Sequence, residues 1–209
     1  MKVNILLSTY NGEQYLEEQV KSIQEQTYQE WELLIRDDGS SDGTVELIKQ
    51  LATRDSRIHF INENHIENVG VIKSFYALLK HGEADLYCFS DQDDFWLPEK
   101  ISLQVTEAKK YSQDKPLLIY TDLKVVDENL SVLHDSMIRT QSDHANTELI
   151  QELTENTVTG GVAMINHALA ELWTGEEKYD LLMHDWYLGL LASAFGNLVY
   201  IDEATELYR

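Results

Sequence analysis

One cysteine, two prolines and ten glycines are all that 209 residues hold of the types that most often cross-link or interrupt a chain. The lone thiol, Cys88, excludes an internal disulfide, and its place in the apolar run Leu86-Tyr87-Cys88-Phe89 predicts a packing role. So few prolines and glycines exclude a repetitive or disordered chain. No stretch approaches the ~18 consecutive apolar residues that a membrane-spanning helix needs. The start, Met1-Lys2-Val3-Asn4, enters an apolar strand without a signal-peptide cleavage pattern. A cytoplasmic protein is expected, held at the inner face of a membrane only through parts outside this chain. Basic residues are scarce too: 16 Lys and Arg against 37 Asp and Glu give a net charge of −21. That excess opposes nucleic acid and anionic bilayers as partners. It leaves anionic small substrates open, because a bound cation inverts the local charge. Also missing is a phosphate-binding fingerprint. Ser8-Thr9-Tyr10-Asn11-Gly12 lacks the glycine spacing of a dinucleotide site, and no phosphate-loop lysine follows.

What the chain does have is acid at the tip of a strand. Phe89-Ser90-Asp91-Gln92-Asp93-Asp94 follows directly on the apolar run. Buried carboxylates cost several kcal/mol or more unless they stay solvated, find partners or hold a cation. If the strand direction continues, Asp91 and Asp93 point to one side and Asp94 to the other. Two hard oxygen donors on one side suit Mg2+ or Mn2+, which share their remaining positions with phosphates and water. A solvated acidic turn is the plainer alternative.

Length predicts one domain over residues 1–209, and its two halves, 1–110 and 111–209, differ in pattern. Residues 3–7, 31–36, 58–61 and 86–89 read as buried strands. Between them, Leu16, Val20 and Ile23, then Leu47, Ile48 and Leu51, then Ile72, Phe75, Tyr76 and Leu79 recur at helical spacing. Pro98 fits the first turn of a further helix running to about Lys110. This alternation predicts an α/β fold: a Rossmann-like, mostly parallel sheet flanked by helices on both faces. The second half breaks the rhythm. Strands over 117–120 and 124–127 lead into a hairpin toward Val132. Leu149, Ile150 and Leu153 suggest a helix, residues 162–165 a strand, and a helix from His184 precedes a last strand over 198–201. The stop at Leu207-Tyr208-Arg209 predicts a domain truncated at its C-terminus.

Ligands of parallel α/β sheets bind beyond the carboxyl ends of the strands. Three polar turns occupy those ends: 8–12, 37–43 and 91–94. Together with Asn68-Val69-Gly70 and His184-Asp185-Trp186, and in this order, Leu6-Leu7-Ser8-Thr9-Tyr10-Asn11, Arg36-Asp37-Asp38-Gly39-Ser40-Ser41-Asp42-Gly43-Thr44 and Asp91-Gln92-Asp93-Asp94 resemble the family 2 glycosyltransferases, above all bacterial rhamnosyltransferase-like members. The resemblance spans almost the whole chain and implies a nucleotide-sugar-binding half (1–110) and an acceptor-side half (111–209). It implies a GT-A fold with a smaller antiparallel acceptor-side region, a nucleoside-diphosphate sugar donor, Mg2+ or Mn2+, and inverting transfer to a saccharide or lipid-linked saccharide of a growing cell-wall or capsular polysaccharide.

Carried over by motif, Thr9, Tyr10, Asn11, Asn68 and Gln92 line the nucleotide pocket. Asp37 or Asp38 reads the base, unless these side chains only cap a helix. Gly70 permits close backbone approach, and Lys73 faces the base or a phosphate, or is an ordinary surface lysine. Asp91 lies near ribose and metal, and Asp93 is the direct metal ligand. Asp185 is the general base, since inverting transfer needs one carboxylate within hydrogen-bond reach of the acceptor hydroxyl. His184 is its rival because histidine titrates nearer neutrality. Gly160 and Gly161 leave room for sugar and acceptor, or form a tight turn. Trp96, Trp186 and Tyr187 stack on sugars or fill the core. Processive members carry a Gln-x-x-Arg-Trp motif that is missing here, which favours limited additions. Two other readings remain at this point: a nucleotidyltransferase, which would show a basic glycine-rich loop near the N-terminus, and a non-catalytic nucleotide-binding module.

Overall fold

The structure, a computed structural model, describes residues 1–175 and 181–209. Its centre is a sheet in which β1 (Val3–Thr9), β2 (Trp31–Asp37), β3 (Ile58–Phe60) and β4 (Leu86–Ser90) run parallel in the order β3-β2-β1-β4. Alternate residues feed two cores. Ile5 and Leu7 pack with Leu16, Val20 and Ile23 of α1 (Leu16–Gln24), Ile48 and Leu51 of α2 (Thr44–Arg54), and Ile101 and Val105 of α4 (Lys100–Ala108). On the opposite face Leu6 and Leu34 pack with Phe75 and Leu79 of α3 (Val71–His81), Trp173 of α7 (His167–Thr174) and Leu188 of α8 (His184–Phe195). Strand periodicity of two thus sets which helices cover which face. Cys88, in the middle of β4, is completely enclosed.

Beyond β4 the sheet changes direction. β8 (Ala163–Asn166) lies antiparallel between β4 and β6 (Leu117–Val126), and β9 (Asn197–Tyr208) pairs parallel to β6. The expected strands over 117–120 and 124–127 are this one strand. It passes through Thr121 and Asp122 because both polar groups find partners. Thr121 Oγ1 meets Thr205 Oγ1 at 2.7 Å, and Asp122 accepts from the Met137 and Ile138 N–H groups that open α5 (Met137–Gln141). β9 is likewise longer than the apolar run over 198–201. It continues through exposed Asp202 and Glu203 across a register shift and then pairs with the short β5 (Phe95–Trp96). The predicted hairpin is present, joining β6 to β7 (Val132–His134).

The helix suggested by Leu149, Ile150 and Leu153 is present as a single turn, α6 (Leu149–Glu152), capped by Leu153; the three aliphatic side chains are exposed while Glu152 is enclosed. The Glu152 carboxylate accepts from the Thr157 N–H and hydroxyl, both at 3.4 Å, and its backbone carbonyl accepts from Trp186 Nε1 at 2.8 Å. Trp96 is fully buried, so it is core and cannot stack on a sugar. Among the described residues no helix is long and apolar enough to cross a membrane.

Candidate active site

The register pairs Thr9 with Asp37 and Leu7 with Ser90, so β1, β2 and β4 end level and deliver their three polar turns to one sheet edge. The first two turns are stitched together. Thr9 Oγ1 donates to Asp37 Oδ1 at 2.9 Å, and the Gly12 N–H donates to Thr44 Oγ1 at 2.8 Å. Asn11, held at φ 50°, accepts from the Ser41 N–H at 2.8 Å. Asn is one of the few side chains that tolerates this left-handed conformation.

The two neighbouring aspartates do different jobs. Asp37 is completely enclosed, and its oxygens take four donors: Thr9 Oγ1, Ser40 Oγ and the N–H groups of Gly39 and Ser40. A carboxylate so occupied has no lone pair left for a ligand. Asp38 pairs with Arg36 Nη1 at 2.7 Å and accepts from the Val69 and Gly70 N–H groups at 2.8 and 3.0 Å. Its Oδ2 retains a free acceptor position, and the residue lines a cleft of about 350 Å³ over the sheet edge. Of the expected nucleotide-pocket residues, Thr9, Tyr10, Asp38, Asn68, Gly70, Asp91 and Gln92 line that cleft. Asn11 and Asp37 instead brace its floor. Lys73 borders a neighbouring cavity with Arg36, Asn62 and Tyr76. Gly70 adopts a φ of 83°, which side chains disfavour, and a Cβ there would touch nothing in the protein. Gln92 closes the wall by pairing its amide with the Tyr10 peptide, accepting from N–H at 2.9 Å and donating to C=O at 3.0 Å.

In the acidic turn, Asp91 and Asp93 line the cleft while Asp94 is buried, with both its oxygens unpartnered among the described residues. Burial, then the charges of Glu206, Asp93 and Asp185, push the Asp91 carboxyl up to about 7. Asp94 is also raised, again first by burial. Neither Asp91 nor Asp93 has a side-chain hydrogen bond among the described residues, and no three-ligand cluster of His, Cys, Asp or Glu is preassembled there. Two unengaged carboxylates fit a cation of the Mg2+ type, which takes one or two from the protein and fills its shell with water and substrate phosphates.

Asp185, in the first turn of α8, accepts from the Gly160 N–H at 3.1 Å and from its neighbour Trp186 N–H at 2.6 Å. Burial raises its pKa against the opposing pull of these two bonds. Its charge is felt at Asp91. His184, the rival base, is 3% exposed; among the described residues neither ring nitrogen has a hydrogen-bond partner, and the ring packs against Phe75, Phe89 and Trp173. An imidazole sealed in that aromatic nest reaches neither acceptor nor donor, so its acceptor-side placement is withdrawn. Gly160 and Gly161 are buried in a 3-10 turn, and Trp186 is pinned to Glu152.

Residues 4–171 match the family described as Glycosyl transferase family 2. The chain belongs to that family. A dTDP-rhamnosyl transferase, RfbG of Shigella flexneri, is 28% identical over 97% of this chain and 71% of its own length. The fold is GT-A. TarS of S. aureus, residues 1–349 in complex with UDP-GlcNAc, superposes over 99% of this chain and 58% of its own with a TM-score of 0.75 at 19% identity. A mannosyltransferase of Pyrobaculum calidifontis, solved with GDP-Man and Mn2+, gives 0.70 at 16% identity over 97% of this chain and 55% of its own. Three further bacterial glycosyltransferases are spanned over 40% to 47% of their length.

Within this glycosyltransferase, sequence reasoning missed Arg36, Lys100, Glu206, Tyr208 and Arg209. Arg36 and Lys100 are cations enclosed in an acidic chain, and Glu206 is 0% exposed with Lys100 Nζ 2.6 Å away. Only the pairing across 106 residues reveals Lys100 and Glu206, whereas Arg36 pairs with Asp38 two positions on. Tyr208 and Arg209 line the cleft, with Arg209 donating to the Asp93 carbonyl and pairing with Glu18.

The buried imidazole has a consequence for stability. Burial holds His184 down at about 4 against an ordinary 6.5, so the unfolded chain binds the proton more tightly. The stability that its neutral form contributes is complete above 6.5 and is lost as pH falls toward 4, at about 1.4 kcal/mol per pH unit. His184→Phe should remove that slope. The unfolding free energies of both proteins, from urea titrations at pH 7 and pH 5, should diverge by about 2 kcal/mol; parallel values would mean that the ring is protonated or solvated in the fold.

Proposed function

We propose that the chain is the catalytic domain of a metal-dependent, inverting glycosyltransferase. It moves a hexose, rhamnose foremost, from a nucleoside-diphosphate sugar to a growing cell-surface polysaccharide. The observation that carries this reading is the meeting of two kinds of carboxylate at one sheet edge. Asp91 and Asp93 stand open to the cleft, and Asp185 is held by two N–H groups near enough for its charge to reach Asp91. The likeness to the rhamnosyl transferase supports the choice of sugar, and the Mn2+ in the mannosyltransferase structure supports the metal.

In this reading Asp38 Oδ2 accepts the imino proton of the base, and exposed Tyr10 offers its ring as a stacking face. Asp93, with Asp91, would hold Mg2+ or Mn2+, which supplies charge stabilisation for the departing diphosphate, an effect worth several kcal/mol. Asp185 takes the proton from the acceptor hydroxyl as its oxygen attacks the anomeric carbon opposite the leaving group. A raised pKa makes Asp185 a better base, and only its ionised form works. Turnover therefore rises with pH through the raised value and is lost below it. Titrating uridine, thymidine and guanosine diphosphates, each with and without Mn2+, tests the donor half. One base should bind at least tenfold more tightly than the others, and only with Mn2+. Binding indifferent to both would remove the donor site.

A further inference from the structure

α4 carries a polar stripe where a core helix has no ordinary use for one. Lys100 and Gln104, four residues apart and so on the same face, are both 0% exposed. Lys100 Nζ donates to the Gly161 carbonyl at 2.5 Å and to Glu206 Oε2 at 2.6 Å. Gln104 Nε2 donates to the Val162 carbonyl at 2.8 Å. One helix therefore grips two successive carbonyls of the 3-10 turn formed by Gly160–Val162. The front of the same turn presents the Gly160 N–H to Asp185.

We propose that Lys100, assisted by Gln104, is a positioning residue for the Asp185 carboxylate, acting through the 3-10 turn; the catalytic meaning of this rests on Asp185 being the base. The ammonium cannot be enclosed without an anion, and Glu206 on β9 supplies it. Trp96 closes the other side, its ring centre 4.4 Å from Nζ. Position 161 has to be glycine, because a Cβ there would come within 2.4 Å of Glu206 Oε1, whose carboxylate the lysine holds in place. α4 also follows the acidic turn closely in sequence. The segment over residues 91–104 therefore carries the cation-facing carboxylates at one end and the clamp on the base at the other.

The test must separate positioning from folding. Breaking a buried ion pair by removing one partner is strongly destabilising, whereas replacing both by apolar groups of similar volume is often neutral. Lys100→Met should lower the Tm, and adding Glu206→Leu should restore it while leaving the Gly161 carbonyl without its donor. In a chain labelled with [15N]glycine, the Gly160 amide, assigned by its loss in Gly160→Ala, should titrate with Asp185 in the wild type. In the refolded double variant its midpoint should shift by half a pH unit or more. With Mn2+ and dTDP-rhamnose or UDP-glucose as probes, kcat for donor turnover should fall roughly ten- to hundredfold with KM unchanged. Gln104→Met, which leaves the ion pair intact, should move both readouts in the same direction by less. A double variant with the wild-type Gly160 titration overturns the proposal. A shifted titration with no turnover of either probe by the wild type supports the clamp and counts against the catalytic reading of the site, so the two fail separately.

Discussion

Asp185→Asn should reduce transfer by roughly a hundred- to ten-thousandfold, the range that a positioned general base contributes, while donor affinity stays within a factor of about two. The substitution is nearly isosteric. The amide oxygen that D185N introduces can still accept from the Gly160 N–H, and only the local bond from the adjacent Trp186 N–H is given up. The 3-10 turn and the start of α8 should therefore keep their places. What disappears is the capacity to take a proton. Transfer measured by nucleoside diphosphate release, alongside calorimetric donor binding, checks the split. Equal losses in both would move Asp185 from chemistry to donor binding. The acid limb of the wild-type pH profile should stand above the ordinary carboxylate range, the direction that burial dictates, and it should vanish from the residual activity of the variant.

Asp93→Ala should cost a hundredfold or more in turnover, equivalent to several kcal/mol of charge stabilisation. It should weaken nucleotide binding only when Mg2+ or Mn2+ is present. In metal-free buffer the variant should bind the diphosphate no more weakly than the wild type, because Asp93 then offers it only a like charge. Chelator added to the wild type should reproduce the variant's affinity. If chelator changes nothing, the carboxylates at the end of β4 do not act through a cation. Asp91→Asn should behave similarly in metal but bind diphosphate better without it, since it removes a neighbouring negative charge.

The parallel half of the fold was legible because its signals are local. The runs that became β1, β2 and β4 are apolar and short, and Leu16, Val20 and Ile23 lie on one helical face and are all fully buried. The polar turns declared their sheet edge through strand order alone. The second half was legible only in outline because its strands contain polar residues that are satisfied from a distance. Thr121 depends on Thr205, and Asp122 on the start of α5. The site divided in the same way. Types such as Asp91, Asp93 and Asp185 could be picked out in the sequence, but partner saturation could not. Nothing local says that Asp37 is fully engaged while the adjacent Asp38 keeps a position open, or that His184 is sealed in an aromatic nest while Asp185 is held by the Gly160 N–H. No local pattern marks Lys100 and Glu206 as buried; β9 brings them together.

The thiol in the middle of β4 offers a different use. Enclosure pushes Cys88 up to about 12, so at neutral pH only about one molecule in 10⁵ carries the reactive thiolate. Alkylating reagents and oxidants thus find a target only in molecules whose central strand has come open. Because no other cysteine competes, the rate of labelling serves as a built-in clock for that opening, and a cysteine introduced at the surface can carry a probe without removing the native one.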